Sequence, residues 1–543
     1  MSDRRETGRG SPLAIPVFRN LWASNLLSNF GGQVQTVAAG WLMASLTGSP
    51  QMVALVQAAV SLPIMLLILL GGALADSFDK RRILLSAQVF MLAVSGVLAG
   101  LAYAGWVTPW LLLAFTFLIS GGSALNNPAW QASMRDIVPR ELISRAIGLN
   151  STSINLARTL GPAIGGGIVA AFGVAAAFLA NALSYLALIV ALLNWRPAKS
   201  PAQLGGREPI GAAIVTGVRY AAMSPHLRPV VMRGAISGFS ASAAFALMPV
   251  VASQQLGGGP LLLGGLLGGF GGGAVIGALA SGRMRERIAA EYLVRAAMAL
   301  LASGLLVLGL SAHVVPAAFG AALAGAGWVL AHSSFNATVQ LAAPRWVSAR
   351  SLALYQTATF GAIVAGSAFF GMIAERSGVS LALIAAGAFQ LIGGLLGLRM
   401  RLPAAETLNL DPLDRWTPPK LDIEVDPASG PVFVELEYRI ALADAGAFQA
   451  AMAERERIRR RDSARDWALW RDVTDSMRWV ESYRVPSWAD YLRHNQRRTQ
   501  EDVDNVDTLL RLHIGTDGPL IRRHIRAGSE VRAPEPEFPP ATP

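Results

Sequence analysis

The chain has 543 residues, 53 % hydrophobic and only 15 % charged, against about 25 % charged in ordinary soluble proteins. A soluble core of that size would leave too little polar surface to cover it, so the composition is that of a membrane protein. With no cysteine in the chain, disulfides, thiolate metal sites and cysteine nucleophiles are excluded. Charge is divided unevenly: up to residue 400 there are 25 Lys and Arg against 10 Asp and Glu, and beyond it 21 against 25. Bases spread thinly among apolar runs suit anionic lipid headgroups, and no nucleic-acid partner is expected from them.

In chain order the pattern predicts twelve apolar spans, each near the roughly 20 residues that cross a hydrocarbon core. They cover residues 19–46, 52–75, 82–105, 108–133, 144–171, 174–195, 230–254, 260–282, 290–311, 315–342, 349–374 and 379–400. The first is long, holds Asn and Gln and precedes eleven more, so it reads as a retained span and not a cleavable signal. One set of connections carries Arg4, Arg5 and Arg9, then Lys80, Arg81 and Arg82, then Arg140 and Arg145, Arg196 to Arg228, Arg283 to Arg287, and Arg345 and Arg350; the other set carries only Arg376. The positive-inside rule makes the basic connections, both termini and everything after residue 400 cytoplasmic.

An internal repeat organises these spans. GGALADSFDKRR (71–82) returns as GALASGRMRER (277–287), which pairs Gly72 with Gly277 at an offset of 205 residues. Without a gap the same offset pairs Pro139 with Pro344, Arg140 with Arg345, Arg145 with Arg350, Gly161 with Gly366, Gly166 with Gly371 and Gly173 with Gly378. The chain therefore divides into a six-helix bundle (1–195), a basic connector (196–229), a second, parallel six-helix bundle (230–400), a linker (401–429), a small domain (430–528) and a tail (529–543) whose composition is that of a disordered segment.

Two such halves, with a Gly-x-x-x-Asp loop and trailing bases between spans two and three and a weaker copy between spans eight and nine, resemble the major facilitator superfamily over about 400 of the 543 residues. Within it, LNSTSINLARTLGPAIGG (149–166) and FLANALSYLAL (178–188) resemble the bacterial branch that includes the enterobactin exporter. The resemblance implies alternating access, two bundles rocking around a central site. It also implies that Gly72, Asp76, Lys80, Arg81 and Arg82 form a gating loop that favours the outward-facing state. Here Ser77 stands where a base is usual, Asp79 where Gly is common, and the second copy has Ser281 in place of the acid.

Polar groups inside apolar spans are the candidate cavity residues, because burying an amide or charge in a membrane is costly without a partner or water. Asn25, Asn29 and Gln33 recur every four residues, as do Asn127, Gln131 and Arg135, and at the 205-residue offset His332, Asn336 and Gln340. Each set lies on one helix face; hydrogen bonding between helices is the competing reading. Arg158 lies 13 residues beyond Arg145, roughly 20 Å along a helix, too far to snorkel easily, and is the leading candidate to meet an anionic substrate group. Arg233 follows Arg228 closely enough to be expected at the interface, while Glu291 and Arg295 read as a structural i, i+4 pair.

No lysine follows a glycine, so there is no phosphate loop for ATP, and no cofactor is implied. Carriers of this kind admit proton coupling, for which His332 is the titratable candidate at depth. After residue 429, VFVELEYRI (432–440) alternates as a half-buried strand, a helix is expected over 444–461, strand-like WALWRDV (467–473) and MRWVESYRV (477–485) flank a turn, Ser487 caps a helix, and PLIRRHI (519–525) ends the set. The βαββαβ order predicts a ferredoxin-like domain. It resembles the antibiotic-biosynthesis-monooxygenase type, which pairs two sheets and so implies a homodimer through this domain. His494 reads as a surface residue on a helix face, and no histidine there has metal-site spacing.

The expectation is an all-α polytopic membrane protein of twelve helices with a cytoplasmic α+β ferredoxin-like domain. It would be a secondary transporter in the bacterial inner membrane, exporting a small amphipathic or anionic, siderophore-like molecule. The competing class is a membrane-anchored enzyme or sensor acting through its C-terminal domain.

Overall fold

The computed structural model describes residues 11–195, 210–344, 346–404, 408–410, 417–423, 425–462, 464–496, 499–515 and 517–526, without the side chains of 69, 72–77, 135, 140, 210, 212–216 and 501. Proline opens several of the long helices, where its fixed φ suits the first turn and its missing N–H is not needed. They are α1 (Pro16–Thr47), α2 (Pro50–Ser77), α3 (Lys80–Tyr103), α4 (Pro109–Ile137), α5 (Ile143–Asn194), the short α6 (Ile210–Met223), α7 (Leu227–Val250), α8 (Pro260–Arg287), α9 (Ala290–Leu310), α10 (Val314–Leu341), α11 (Ser348–Ser377) and α12 (Val379–Leu396). Side chains close some starts: Thr108 Oγ1 accepts from the Leu111 N–H at 3.3 Å, and Asp79 Oδ1 from the Arg82 N–H at 3.0 Å.

Among the described residues ten helices are long and apolar enough to cross a membrane. One of them, α5, runs for 52 residues, about 78 Å at the α-helical rise and more than twice the thickness of a hydrocarbon core. It breaks at Gly173, whose φ of +82° belongs to the left-handed side that a side chain disfavours. The repeat places Gly378 at the equivalent point, and its φ of +90° precedes α12. Leu66, Val97, Leu279 and Leu395 are among many large apolar side chains that remain exposed, a surface that a soluble monomer does not carry and lipid does not penalise.

The repeat is legible in the packing of its glycines. A Cβ on Gly161 would lie 2.5 Å from Gln33 of α1, and one on Gly366 2.3 Å from the Phe239 carbonyl of α7. A Cβ on Gly166 would lie 2.6 Å from the Pro260 carbonyl at the start of α8, and one on Gly371 2.6 Å from Ala54 of α2. Each glycine thus lets its helix approach the matching helix, within its own half for the first pair and in the other half for the second. Between α5 and α8 the seam is backbone against backbone: Gly264 meets Pro162 O, Gly166 and Ala163, and Gly271 meets Arg158 O and Thr159 Cα.

The chain forms two compact units, one holding residues 1–210, 229–339 and 352–403, the other 211–228, 340–351 and 404–543. In the second unit β1 (Val432–Arg439), α13 (Ala445–Arg461), β2 (Arg465–Arg471), β3 (Arg478–Val485), α14 (Trp488–Gln496), α15 (Val503–Leu512) and β4 (Leu520–Ile525) build a four-stranded antiparallel sheet in the order β2-β3-β1-β4. Val434, Leu436 and Tyr438 of β1 are buried with Phe448 and Met452 of α13 and with Trp479 and Tyr483 of β3. The expected strands and the helix over 444–461 appear within two residues of their expected limits, whereas α15 was not foreseen. The segment 533–543 lies outside the described residues.

The same unit includes part of the connector and the α10–α11 connection. Arg461 lies 5.3 Å over the Tyr220 ring, Tyr220 packs edge-on to Trp346 at 5.4 Å, and Arg457 Nη1 donates to Met223 O at 3.3 Å.

Candidate functional site

Arg158 of the first half and His332 of the second are polar groups set inside apolar spans. Arg158 lies in the middle of the first arm of α5 and is exposed. Its carbonyl meets Gly271 of α8, a helix that also packs closely on α10 where Gly273 meets Ala322. His332 is fixed by its neighbours: Nδ1 lies 3.1 Å from the Tyr355 hydroxyl of α11, and the ring stacks on Trp328 at 5.1 Å and 17°. Phe245 of α7 meets Trp328 edge-on at 5.6 Å, and Phe335 lies 6.2 Å from Tyr355. Tyr355 can lie there because Gly234 leaves room; a Cβ on Gly234 would come within 2.3 Å of its ring.

Chemically the first half contributes a cation and the second an aromatic wall with one imidazole. A guanidinium offers several donors in a fixed fork that suits carboxylate or phosphate oxygens, and aromatic faces accept apolar or π-bearing ligand parts. Asn336, one turn below His332, has a buried Oδ1 with no hydrogen-bond partner among the described residues.

The other sequence-derived candidates are placed differently. Asn25 Nδ2 donates to Asn150 Oδ1 at 3.4 Å, Asn29 Nδ2 to Ser153 Oγ at 3.3 Å, and Gln33 lies over Gly161, so all three face α5. Asn127, Gln131 and Gln340 are exposed, while Asn126 is buried and accepts from Gln88 Nε2 at 3.1 Å. Spacing along one helix did not single out Asn150, which also accepts from Trp130 Nε1 at 2.9 Å, or Asn181, whose Nδ2 is shared among Gln35, Ser95 and Tyr185. The only available signal was that each is an amide in an apolar run.

At the end of the bundle that carries the basic connections, the side chains of Gly72 and Asp76 lie outside the described residues. Lys80 Nζ pairs with Asp136 Oδ2 at 2.7 Å, Arg81 donates to the Leu192 and Leu193 carbonyls at 2.8 Å each, and Arg82 is exposed. Arg233 does not reach the interface as expected from its distance to Arg228. It is fully buried and pairs with Glu291 Oε2 at 2.6 Å, because α9 brings an acid to it that no local count reveals. Glu291 also binds Arg295 Nε at 2.5 Å and accepts from the Leu402 N–H at 2.8 Å.

Within the α+β domain His494 is buried, contrary to the surface position expected, because α14 turns it toward α13. Arg459 Nη1 lies 3.0 Å from Nε2, and Nδ1 lies 2.8 Å from Asp462 O. Since Arg can only donate, Nε2 accepts and Nδ1 carries the proton. Beside it Glu481 is buried between Arg459 at 2.8 Å and Arg455 at 3.8 Å. Burial alone would push this carboxyl up, but the two guanidinium charges and the hydrogen bonds from Arg459 and Trp467 hold it down at about 2. Among the described residues no cluster of acids and histidines could hold a metal ion.

With this geometry in view, the comparisons are specific. The family model described as transmembrane secretion effector, MFS_3, matches residues 7–531. The uncharacterized MFS-type transporter YfiS of Bacillus subtilis is 27 % identical over 409 residues, 70 % of this chain and 94 % of its own. The multidrug efflux pump Tap of Mycobacterium tuberculosis is 25 % identical over 421 residues, 75 % and 97 % respectively. The staphyloferrin A transporter of Staphylococcus aureus is 27 % identical over 196 residues, 36 % of this chain and 49 % of its own. Among solved structures, a bacterial homolog of the human lysosomal transporter Spinster, inward-facing and unoccupied, superposes with a TM-score of 0.58 at 14 % identity, covering 74 % of this chain and 98 % of that one. The POT family transporter PepTSo gives 0.58 at 13 %, covering 73 % and 99 %. These likenesses establish the fold.

Proposed function

The chain belongs to the transmembrane secretion effector family of major facilitator transporters, and from that premise we propose that it exports a small amphipathic molecule bearing an anionic group, of siderophore-like kind, across the bacterial cytoplasmic membrane. It is a multi-pass transporter and not an enzyme. The observation that carries the substrate class is a guanidinium exposed within a span of the first half, Arg158, together with the Trp328–His332–Tyr355 wall of the other half. Among the relatives the efflux pump Tap supports an outward direction, and the staphyloferrin A transporter a siderophore-like ligand.

In this reading the spans number twelve: α5 crosses twice through its break at Gly173, and α1, more polar than the rest, crosses once. The basic connections face the cytoplasm. Contacts between the halves, from Thr159–Gly271 in mid-span through Gly40–Pro249 to Gln254–Gly48 and Ser49–Glu375, run toward the opposite end. That distribution supports a cavity closed outward and open inward. The C-terminal domain is a cytoplasmic ferredoxin-like module that pairs two chains, the sheet order β2-β3-β1-β4 supporting the ferredoxin-like part of that reading. Protons entering through His332 supply the driving force.

The test is flux in proteoliposomes. Arg158→Ala removes a charged hydrogen-bonding group of about 1.5–3 kcal/mol, so anionic substrate flux at low concentration falls roughly 10- to 100-fold while the chain still inserts. Equal flux in the variant would discard the anionic assignment, and cationic drugs transported in its place would favour the multidrug reading.

A further inference from the structure

Away from the basic connections, one carboxylate of the second half holds the first. Glu375 lies in the last turn of α11, and its Oε2 accepts from the Ser49 hydroxyl at 2.7 Å and from the Gln51 backbone N–H at 3.2 Å. Ser49 itself accepts from the Met52 N–H at 3.2 Å, so the serine and the acid together satisfy the first free N–H groups of α2. A negative charge there also meets the positive end of the helix. One residue earlier, the Gly48 carbonyl accepts from Gln254 Nε2, just beyond α7, at 2.8 Å. The turn between α1 and α2 is therefore held by two side chains of the opposite half. Beneath it the packing is tight: a Cβ on Gly371 would lie 2.6 Å from Ala54, and one on Gly40 2.9 Å from Pro249.

A rocking carrier has to open this seam once per cycle. Glu375 is itself exposed and Ser49 half-buried, so water can replace their bond when it parts, unlike the buried pair of Arg233 and Glu291. We propose that Glu375 is the external latch of the transporter. Its grip on Ser49 and Gln51, backed by Gln254 on Gly48, sets how long the outward gate stays shut. This deepens the transport reading and rests on its orientation.

The cysteine-free chain allows single-cysteine reporters without background. Ser61 is 1 % exposed and shares the α2 face of Ala54 and Met65, seven and four residues away, which pack on Gly371 and Gly361 of α11. In intact cells a membrane-impermeant maleimide added outside should label Ser61→Cys poorly. Adding Glu375→Ala should raise that labelling several-fold and lower labelling of Asn127→Cys in inside-out vesicles. Glu375→Gln, whose uncharged amide oxygen still accepts, and Gln254→Ala should shift both in the same sense by less. If these latch variants, each eluting as a folded species, leave both reporters unchanged, the latch is overturned. If the outside reagent labels Asn127→Cys and not Ser61→Cys in the otherwise unaltered chain, the orientation fails instead, and the external placement of the latch with it.

Discussion

The two halves close off the same place with different residues, and the difference shows which half is built to come apart. In the first half Arg81 covers the Leu192 and Leu193 carbonyls at the end of α5, and its neighbour Lys80 pairs with Asp136 while both remain about a quarter exposed. At the 205-residue offset Leu192 becomes Gly397, whose carbonyl accepts from Arg295 at 2.9 Å. The equivalent of Lys80 is Arg285, which among the described residues donates to two carbonyls, Ser281 O at 3.2 Å and Ser333 O at 3.4 Å. Among the acids of the second half, Glu291 lies inside, between Arg233 and Arg295. Exposed pairs are worth about 0–1 kcal/mol and exchange readily with water, whereas breaking a buried pair by removing one partner is destabilising by about 3–5 kcal/mol. The first half carries a clasp, and the second a staple.

The sharpest way to break this comparison is Glu291→Ala, which leaves Arg233 buried without a counter-charge. It should destabilise the purified protein by about 3–5 kcal/mol, seen as a large drop in thermal midpoint in detergent; a drop no larger than that of a surface variant would refute the staple. Glu481, the other buried acid between two arginines, extends the test beyond the membrane. Its folded value of about 2 lies below the ordinary 4.5, so the stability it contributes is present above pH 4.5 and is lost as pH falls toward 2. Pepsin cleavage within β2 and β3 of the full chain should rise across that window, and Glu481→Gln should flatten the dependence. The smallest effect belongs to Lys80→Gln and Asp136→Asn, each within about 1 kcal/mol in the same thermal assay; a loss as large as that of Glu291→Ala would erase the distinction.

Periodicity made the helices and strands legible because each side of an element meets a different solvent. Val434, Leu436 and Tyr438 alternate, and all three are buried. The α15 helix was missed although Val503, Val506, Leu509, Leu510 and Leu512 recur at helical spacing and the Thr499–Asp502 capping box stands just before it. Asp79, which departs from the glycine usual in the family, is explained by its role as the cap of α3, a local signal readable in advance. Partners distant in sequence were not readable. The 58 residues between Arg233 and Glu291, and the 35 between Arg459 and His494, separate groups that only packing brings together. The candidate site was half visible: Arg158 and His332 both stood out as polar within apolar runs, but the aromatic wall around the imidazole depends on Tyr355 and on the space left by Gly234.

The glycine seam between α5 and α8 has a mechanical consequence. Ordinary helix packing sets side-chain ridges into grooves, and sliding such a surface forces every ridge over the next. At Gly166, Gly264 and Gly271 backbone runs against backbone, crossed at Gly271 by the Thr159 hydroxyl, which donates to its carbonyl at 3.3 Å. Such a contact is a bearing: it keeps two bodies close while opposing their relative rotation very little. Friction in this molecule is therefore concentrated at its rims, where a few polar contacts decide when motion begins.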